Sequence, residues 1–334
     1  MKEIKLYFAG GAYPFPLENR LVSYAYPDQL KSWFKMTGDM KGNIILDSGA
    51  FSAWKSGKVI NIQDLITYSH KAIEEGAKLN KTVRVVNLDV IPGNVGETRA
   101  LNNLKSGNRA ENLELIEGAA RRGYKNMLTM LEEGITPIHV FHQGERWKWL
   151  DRMVECVPYI GISPANDMPA KSKRQWMYSV FSYLYKNNIS VDTHGFAVFD
   201  KDVIEEFPWT SCDATSPLLL AGYGKIYCPV GGYVTPDYSQ KPAHLVVSGK
   251  EVLYEGAEGW MEPEAHVKRK ASNGRGDVTD EKLKQLLGGE YTFEDLQDRV
   301  VRVKINVQYI LGLQDYVNQK KRKVEFIPKE TLLI

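Results

Sequence analysis

Cysteine is scarce in this chain, with only Cys156, Cys212 and Cys228 among 334 residues. An odd, scattered trio cannot form a disulfide framework, so a reducing cytoplasm is the expected compartment. No Cys-x-x-Cys pair occurs, which leaves no zinc ribbon and no expected metal or other cofactor. Long apolar runs are missing as well. No stretch approaches the roughly 20 apolar residues of a membrane span, and Met1-Lys2-Glu3-Ile4-Lys5-Leu6 lacks the apolar core of a secretory signal. No membrane partner is therefore expected. Charge of one sign is not in excess: 43 Lys and Arg against 41 Asp and Glu give a net +2. That balance neither demands nor forbids a polyanionic partner. Fifteen prolines and 28 glycines are spread along the chain, against a disordered or fibrous protein.

What is present is 43% hydrophobic and 25% charged sequence, enough for a large core. Its length suggests about two domains, although an α/β barrel commonly fills about 250 residues as one. Short apolar runs alternate with amphipathic ones. Strands are predicted at 5–9, 43–47, 83–89, 138–142, 159–162, 190–195 and 209–213, and helices at 62–79, 108–122, 147–156, 175–186 and 201–207. This β-then-α succession predicts a parallel α/β protein. Asp47, Asp89, Gln143, Gly161, Gly195 and Asp213 all fall at carboxyl ends of predicted strands. A (β/α)8 TIM barrel gathers such ends at one mouth, whereas an open sheet uses only the strands at its switch point. The barrel is the expectation.

Residues 1–216 then form the main part of the catalytic barrel. Residues 217–278 break the alternation with glycines and short strand candidates at 244–247 and 251–254, a β-rich insertion ending in a basic loop. Residues 279–334 are expected as C-terminal helices that complete the barrel or pack on it. Thr292 is the predicted N-cap of a long helix through about Val317. Lys268, Arg269, Lys270 and Arg275 lie in the basic loop, with further clusters at Lys171, Lys173 and Arg174 and at Lys320 to Lys323. Such clusters are either solvated surface or phosphate contacts.

Leu46-Asp47-Ser48-Gly49-Ala50-Phe51 puts a carboxylate after an apolar strand and before a small-residue turn. Taken alone, it is equally a helix cap. Leu88-Asp89 and Cys212-Asp213 repeat the placement, and His142-Gln143-Gly144 ends another strand with an amide. Carboxylates beside an amide suit a nucleobase edge, where donors and acceptors lie in line. His139 and His142 are three apart on a strand and so point to opposite faces. A metal site of His194, Asp47 and Asp89 stays open, as in a metal-dependent barrel hydrolase.

These segments resemble, in order, motifs of the tRNA-guanine transglycosylase (queuine tRNA-ribosyltransferase) superfamily. Asp47-Ser48-Gly49-Ala50-Phe51 is similar to its Asp-Ser-Gly-Gly-Phe motif, and Leu88-Asp89 falls where the family has a base-reading Asp. Phe141-His142-Gln143-Gly144 resembles Val-Gln-Gly-Gly, and Tyr159-Ile160-Gly161-Ile162 the base-pocket strand. His194-Gly195-Phe196-Ala197-Val198 resembles Met-Gly-Val-Gly, and Ser211-Cys212-Asp213-Ala214 the nucleophile segment. Two departures stand out: the second glycine is Ala50, and the family's Cys-x-Cys-x-x-Cys zinc site is absent. That pattern resembles the DNA-modifying, phage-type 7-deazaguanine DNA transglycosylases.

The resemblance implies exchange of guanine in double-stranded DNA, with the target base flipped out, for a 7-deazaguanine base of the preQ0 type. It implies Asp213 as nucleophile and Asp47 as general acid/base. Ser48, Gly49, Phe51, Asp89, Gln143, Gly144, Gly161 and Gly195 would form the substrate pocket, with Phe51 or Tyr223 stacking on the base and Gly161 offering its backbone. Lys268, Arg269, Lys270 and Arg275 would grip the phosphates. A tRNA-directed enzyme lacking zinc is the other branch.

Overall fold

The structure is a computed structural model that describes residues 3–11, 13–92, 109–165, 168–248, 252–255 and 275–321. These divide into two compact units, one up to Ala214 and one from Thr215 on.

The first unit is an all-parallel eight-stranded sheet alternating with helices. Its strands are β1 (Lys5–Phe8), β2 (Asn19–Ser23), β3 (Gly42–Asp47), β4 (Lys81–Val85), β5 (His139–His142), β6 (Tyr159–Ser163), β7 (Asp192–Gly195) and β8 (Ser211–Ala214). They run in the order β4-β3-β2-β1-β8-β7-β6-β5. The two ends of that row meet. Val86 bridges Ile138 in parallel; the Ile138 amide donates to the Val85 carbonyl at 2.8 Å and the Asn87 amide to that of Ile138 at 2.9 Å. The sheet therefore curls into a TIM-barrel-like (β/α)8 fold.

Side-chain alternation along β3 separates the two layers of the barrel. Ile44 and Leu46 join Leu30, Trp33, Phe34, Ile66 and Met130 in an outer core beneath the helices. Ile45 instead joins Tyr7, Val86, Ile138 and Val140 in the interior. By the same alternation Asp47, next after Leu46, faces the mouth. The helices are α1 (Pro27–Thr37), α2 (Ala50–Lys55), α3 (Ile62–Lys78), α4 (Arg109–Glu132), α5 (Trp147–Cys156), α6 (Ala170–Lys186) and α7 (Lys201–Glu206). The seam has its own polar clamp. The Asn87 side-chain amide donates to the Gly123 carbonyl and to His139 Nδ1, both at 2.9 Å. Burial pulls the His139 pKa down to about 4, so its ring is neutral and Nδ1 accepts.

Three elements of this unit, β2, α1 and α2, lie where the sequence predicts none. The polar Asn19 and Arg20 hide β2, yet both are buried, with Arg20 donating to the Phe8 carbonyl at 2.7 Å. Helix α1 carries Pro27 in its first turn and buries Leu30, Trp33 and Phe34, the spacing of an amphipathic helix.

The second unit begins with α8 (Ser216–Gly222) and holds an antiparallel sheet of order β12-β11-β10-β9. Its strands are β9 (Lys225–Cys228), β10 (Ala243–Val246), β11 (Val252–Glu255) and β12 (Arg275–Val278). Helices α9 (Asp280–Leu287) and α10 (Arg299–Lys321) follow. Leu283, Leu286 and Leu287 of α9 and Ile305 of α10 share one core with Ile226, Cys228 and Leu245 of the sheet. All eight barrel strands lie before residue 215. Thr292 does not cap the long helix as expected. Its hydroxyl instead accepts from the Asp295 amide at 3.2 Å, before the long helix begins. Asp298 then caps α10, its Oδ1 accepting from the Val300 amide at 2.8 Å. No described helix is long and apolar enough to cross a membrane.

Candidate active site

The mouth of the barrel contains a cavity of about 230 Å³. Asp47 and Ser48 at the end of β3, Phe51 in α2, Asp89 beyond β4, His142 and Gln143 at the end of β5, Glu145, Ser163 and Phe196 line it. The volume lies below the roughly 300–1,000 Å³ usual for drug-sized ligands, and suits one heterocyclic base.

Asp47 is held by its own turn. Oδ2 accepts from the Gly49 amide at 3.1 Å, which is possible because Gly49 adopts φ +75° at the start of α2. A side chain at Gly49 would meet the Ala25 amide nitrogen at 2.9 Å. Burial pushes the Asp47 pKa up to about 6; the Gly49 amide and Ser23 oppose this, and the charges of Asp89 and Asp213 add to it.

Beside it, His142 Nε2 lies 3.3 Å from Asp89 Oδ2. Burial disfavours the imidazolium, but attraction and hydrogen bonding from Asp89, helped by Glu145, outweigh it and raise the His142 pKa to about 9. Glu145 is pushed up to about 7 by burial, against the pull of His142. Gln143 Oε1 accepts from the Ala165 amide at 3.0 Å. Its NH2 group is therefore what it offers a ligand.

Asp213 does not line the cavity. It is 5% exposed at the end of β8, and its charge contributes to the raised pKa of Asp47. Oδ1 accepts from the Ala197 amide at 2.8 Å. Ala197 holds φ +52°, an uncommon conformation for a residue with a side chain, and this turn aims its N–H at the carboxylate. His194 Nε2 lies 3.5 Å from the same Oδ1.

No protein-family model matches the chain and no curated protein matches it.

Of the pocket residues named from sequence, Asp47, Ser48, Phe51, Asp89 and Gln143 share the cavity wall. The glycines do other work. Gly161 is not an open backbone edge: it is in mid-strand, paired with Val140 and His194. A Cβ there would meet Phe196 at 2.4 Å, so Gly161 makes room for the ring that forms the cavity wall. Gly195 is packed against Val198, Cys212 and Trp209. Gly144 takes φ +108° in the turn after β5. Phe51 is 48% exposed and forms part of the cavity wall, whereas Tyr223 lies exposed in the second unit. Arg275 opens strand β12 instead of sitting in a loop, while Lys268, Arg269 and Lys270 lie outside the described residues.

His142, Glu145 and Phe196 are among the cavity residues to which motif reasoning gave no role. Among the described residues no group of three or more His, Cys, Asp or Glu is arranged to hold a metal ion.

Proposed function

We propose that this chain is a DNA-guanine transglycosylase, exchanging guanine in DNA for a 7-deazaguanine base by two displacements at C1′. The observation that carries the proposal is a cavity at the barrel mouth lined by Asp47, a carboxyl with a pKa near 6, with a second carboxylate, Asp213, fixed by a backbone N–H behind that cavity and near enough for its charge to add to the shift of Asp47. Glycosyl transfer needs both: one group to move a proton on the base and one to meet the oxocarbenium-like sugar.

Asp213 Oδ2, the oxygen not taken by Ala197, attacks C1′ as the bond from C1′ to N9 of guanine breaks. Asp47 gives its proton to the departing base. The incoming base returns a proton to Asp47 from its own ring nitrogen, which bonds to C1′ as the bond to Asp213 breaks. Asp89 accepts from the N1–H and exocyclic amine of the base edge, and the Gln143 NH2 donates to the carbonyl oxygen. Protonated His142 stays with Asp89 as its ion partner. A duplex hides C1′, so the target nucleotide flips out at a cost of about a few kcal/mol, offset by phosphate contacts from the basic segment 268–275.

The test is to incubate the protein with DNA, or in parallel with tRNA, and an isotopically labelled guanine or preQ0-type base. Nucleosides are then read by mass spectrometry. Label in DNA supports the proposal, label only in tRNA moves the chain to the tRNA branch, and label in neither rejects base exchange.

A further inference from the structure

The interior of the barrel is largely apolar around β3 to β5, apart from Arg84 of β4, which lies over the Tyr159 ring, and polar around β6 to β8. Ile45, Val86, Ile138 and Val140 fill it around β3 to β5. Around β6 to β8 it holds Tyr159, Ser211 and His194, with His194 and Ser211 at 0% and 1% exposure. Buried polar groups in such a place cost stability unless they are paired, so each needs a reason.

The three side chains and Asp213 form a line along the barrel. Tyr159 Oη lies 2.5 Å from Ser211 Oγ, and Ser211 Oγ lies 2.5 Å from His194 Nδ1. His194 Nε2 then lies 3.5 Å from Asp213 Oδ1, with no hydrogen-bond partner among the described residues.

The carboxylate decides which way the hydrogens run. A bare Nε2 lone pair facing Oδ1 would repel it, so Nε2 carries the hydrogen. Nδ1, the ring's other nitrogen, then accepts, and among the described residues the donor beside it is the Ser211 hydroxyl. Having one hydrogen, Ser211 spends it on Nδ1 and accepts from Tyr159. Burial holds the Tyr159 phenol protonated, its pKa raised well beyond the ordinary range. All three groups therefore donate towards Asp213.

We propose that His194 is the positioning residue of Asp213, fixed in its Nε2–H form by a one-way hydrogen-bond chain from Tyr159 through Ser211. It rests on the transglycosylase reading only for what Asp213 does to the sugar. Ala197 donates to Oδ1 at 2.8 Å and the His194 ring faces the same oxygen at 3.5 Å, which leaves Oδ2 as the atom presented to C1′. At 3.5 Å the approach of His194 Nε2 to Oδ1 is not a hydrogen bond in the free protein; catalytic contacts of this kind commonly tighten into hydrogen bonds when substrate binds.

The test has a spectroscopic arm and a kinetic arm. Nitrogen-15 spectra of histidine in the intact protein identify the tautomer of His194 without any substrate. The expected result is hydrogen on Nε2 and none on Nδ1. Hydrogen on Nδ1, or an imidazolium, overturns the chain. In base exchange, Ser211→Ala and Tyr159→Phe should each lower kcat about tenfold, the scale of one hydrogen bond, with KM for the base unchanged. His194→Gln, which keeps a donor, should retain more kcat than His194→Leu. A rise in KM at constant kcat, or equal activity in those two variants, overturns the positioning role. The two arms also separate the two claims. Hydrogen on Nε2 with no base exchange rejects the transglycosylase reading and keeps the chain, and exchange with hydrogen on Nδ1 does the reverse.

Discussion

His142 Nε2 lies 3.3 Å from Asp89 Oδ2 inside the cavity at the mouth of the barrel. The ring is charged there because the carboxylate outweighs its burial, which places the His142 pKa at about 9. A histidine whose pKa is higher folded than unfolded stabilises the fold below its unfolded value, about 6.5, and loses that contribution as pH rises through the folded value. Wild type should therefore lose Tm relative to Asp89→Asn between about pH 6.5 and 9. Parallel melting curves across that window would show that the pair is not formed.

Asp89 has a second role to test. Removing it leaves a base edge donor without an acceptor, at about 1–3 kcal/mol. Asp89→Ala should weaken binding of the free base by roughly tenfold to a hundredfold by calorimetry, while DNA affinity barely moves. Unchanged base affinity would take Asp89 out of recognition.

Asp47 has the opposite sign from His142. Its pKa is raised to about 6, with burial the largest cause, so the fold is penalised once the carboxyl ionises. The penalty grows from about pH 4 to 6 and stays above that. Asp47→Asn should be more stable than wild type at neutral pH and equal to it at about pH 3.5, with base exchange lost. Equal stability at both pH values would mean that Asp47 is not buried as a charge.

Gly161 tests how the cavity wall is built. A methyl group there would meet the Phe196 ring at 2.4 Å, so Gly161→Ala should cost about 1–3 kcal/mol of stability and lower base affinity. Pairing it with Phe196→Leu should restore stability measured by chemical denaturation. No recovery in the double variant would place the clash elsewhere.

Much of the barrel is legible in the sequence because apolar runs and turn residues repeat in order. Asp47, Asp89, Gln143 and Asp213 mark the mouth through their positions at or just past strand ends. What escaped has physical causes. Strand β2 carries Asn19 and Arg20, whose burial depends on partners such as the Phe8 carbonyl that no local pattern reveals. Histidine 142 had a usable signal, since it continues the inward face of Ile138 and Val140. Glu145 had none, because its burial arises from the turn after β5. Glycine at 161 suggested an open backbone; its contact with Phe196 is a tertiary fact. Thr292 had the chemistry of a cap, but Asp298 lay closer to the start of the long helix and took that place.

The most direct measurement is capture of the sugar on Asp213. Wild type mixed with DNA without an incoming base, then denatured, should yield a covalent protein–DNA adduct whose peptide mass maps to Asp213. Asp213→Asn should give none while still binding DNA and melting like wild type, and an incoming base should discharge the wild-type adduct. An adduct on Asp47 or another carboxylate, or wild-type exchange by Asp213→Asn, would contradict the account.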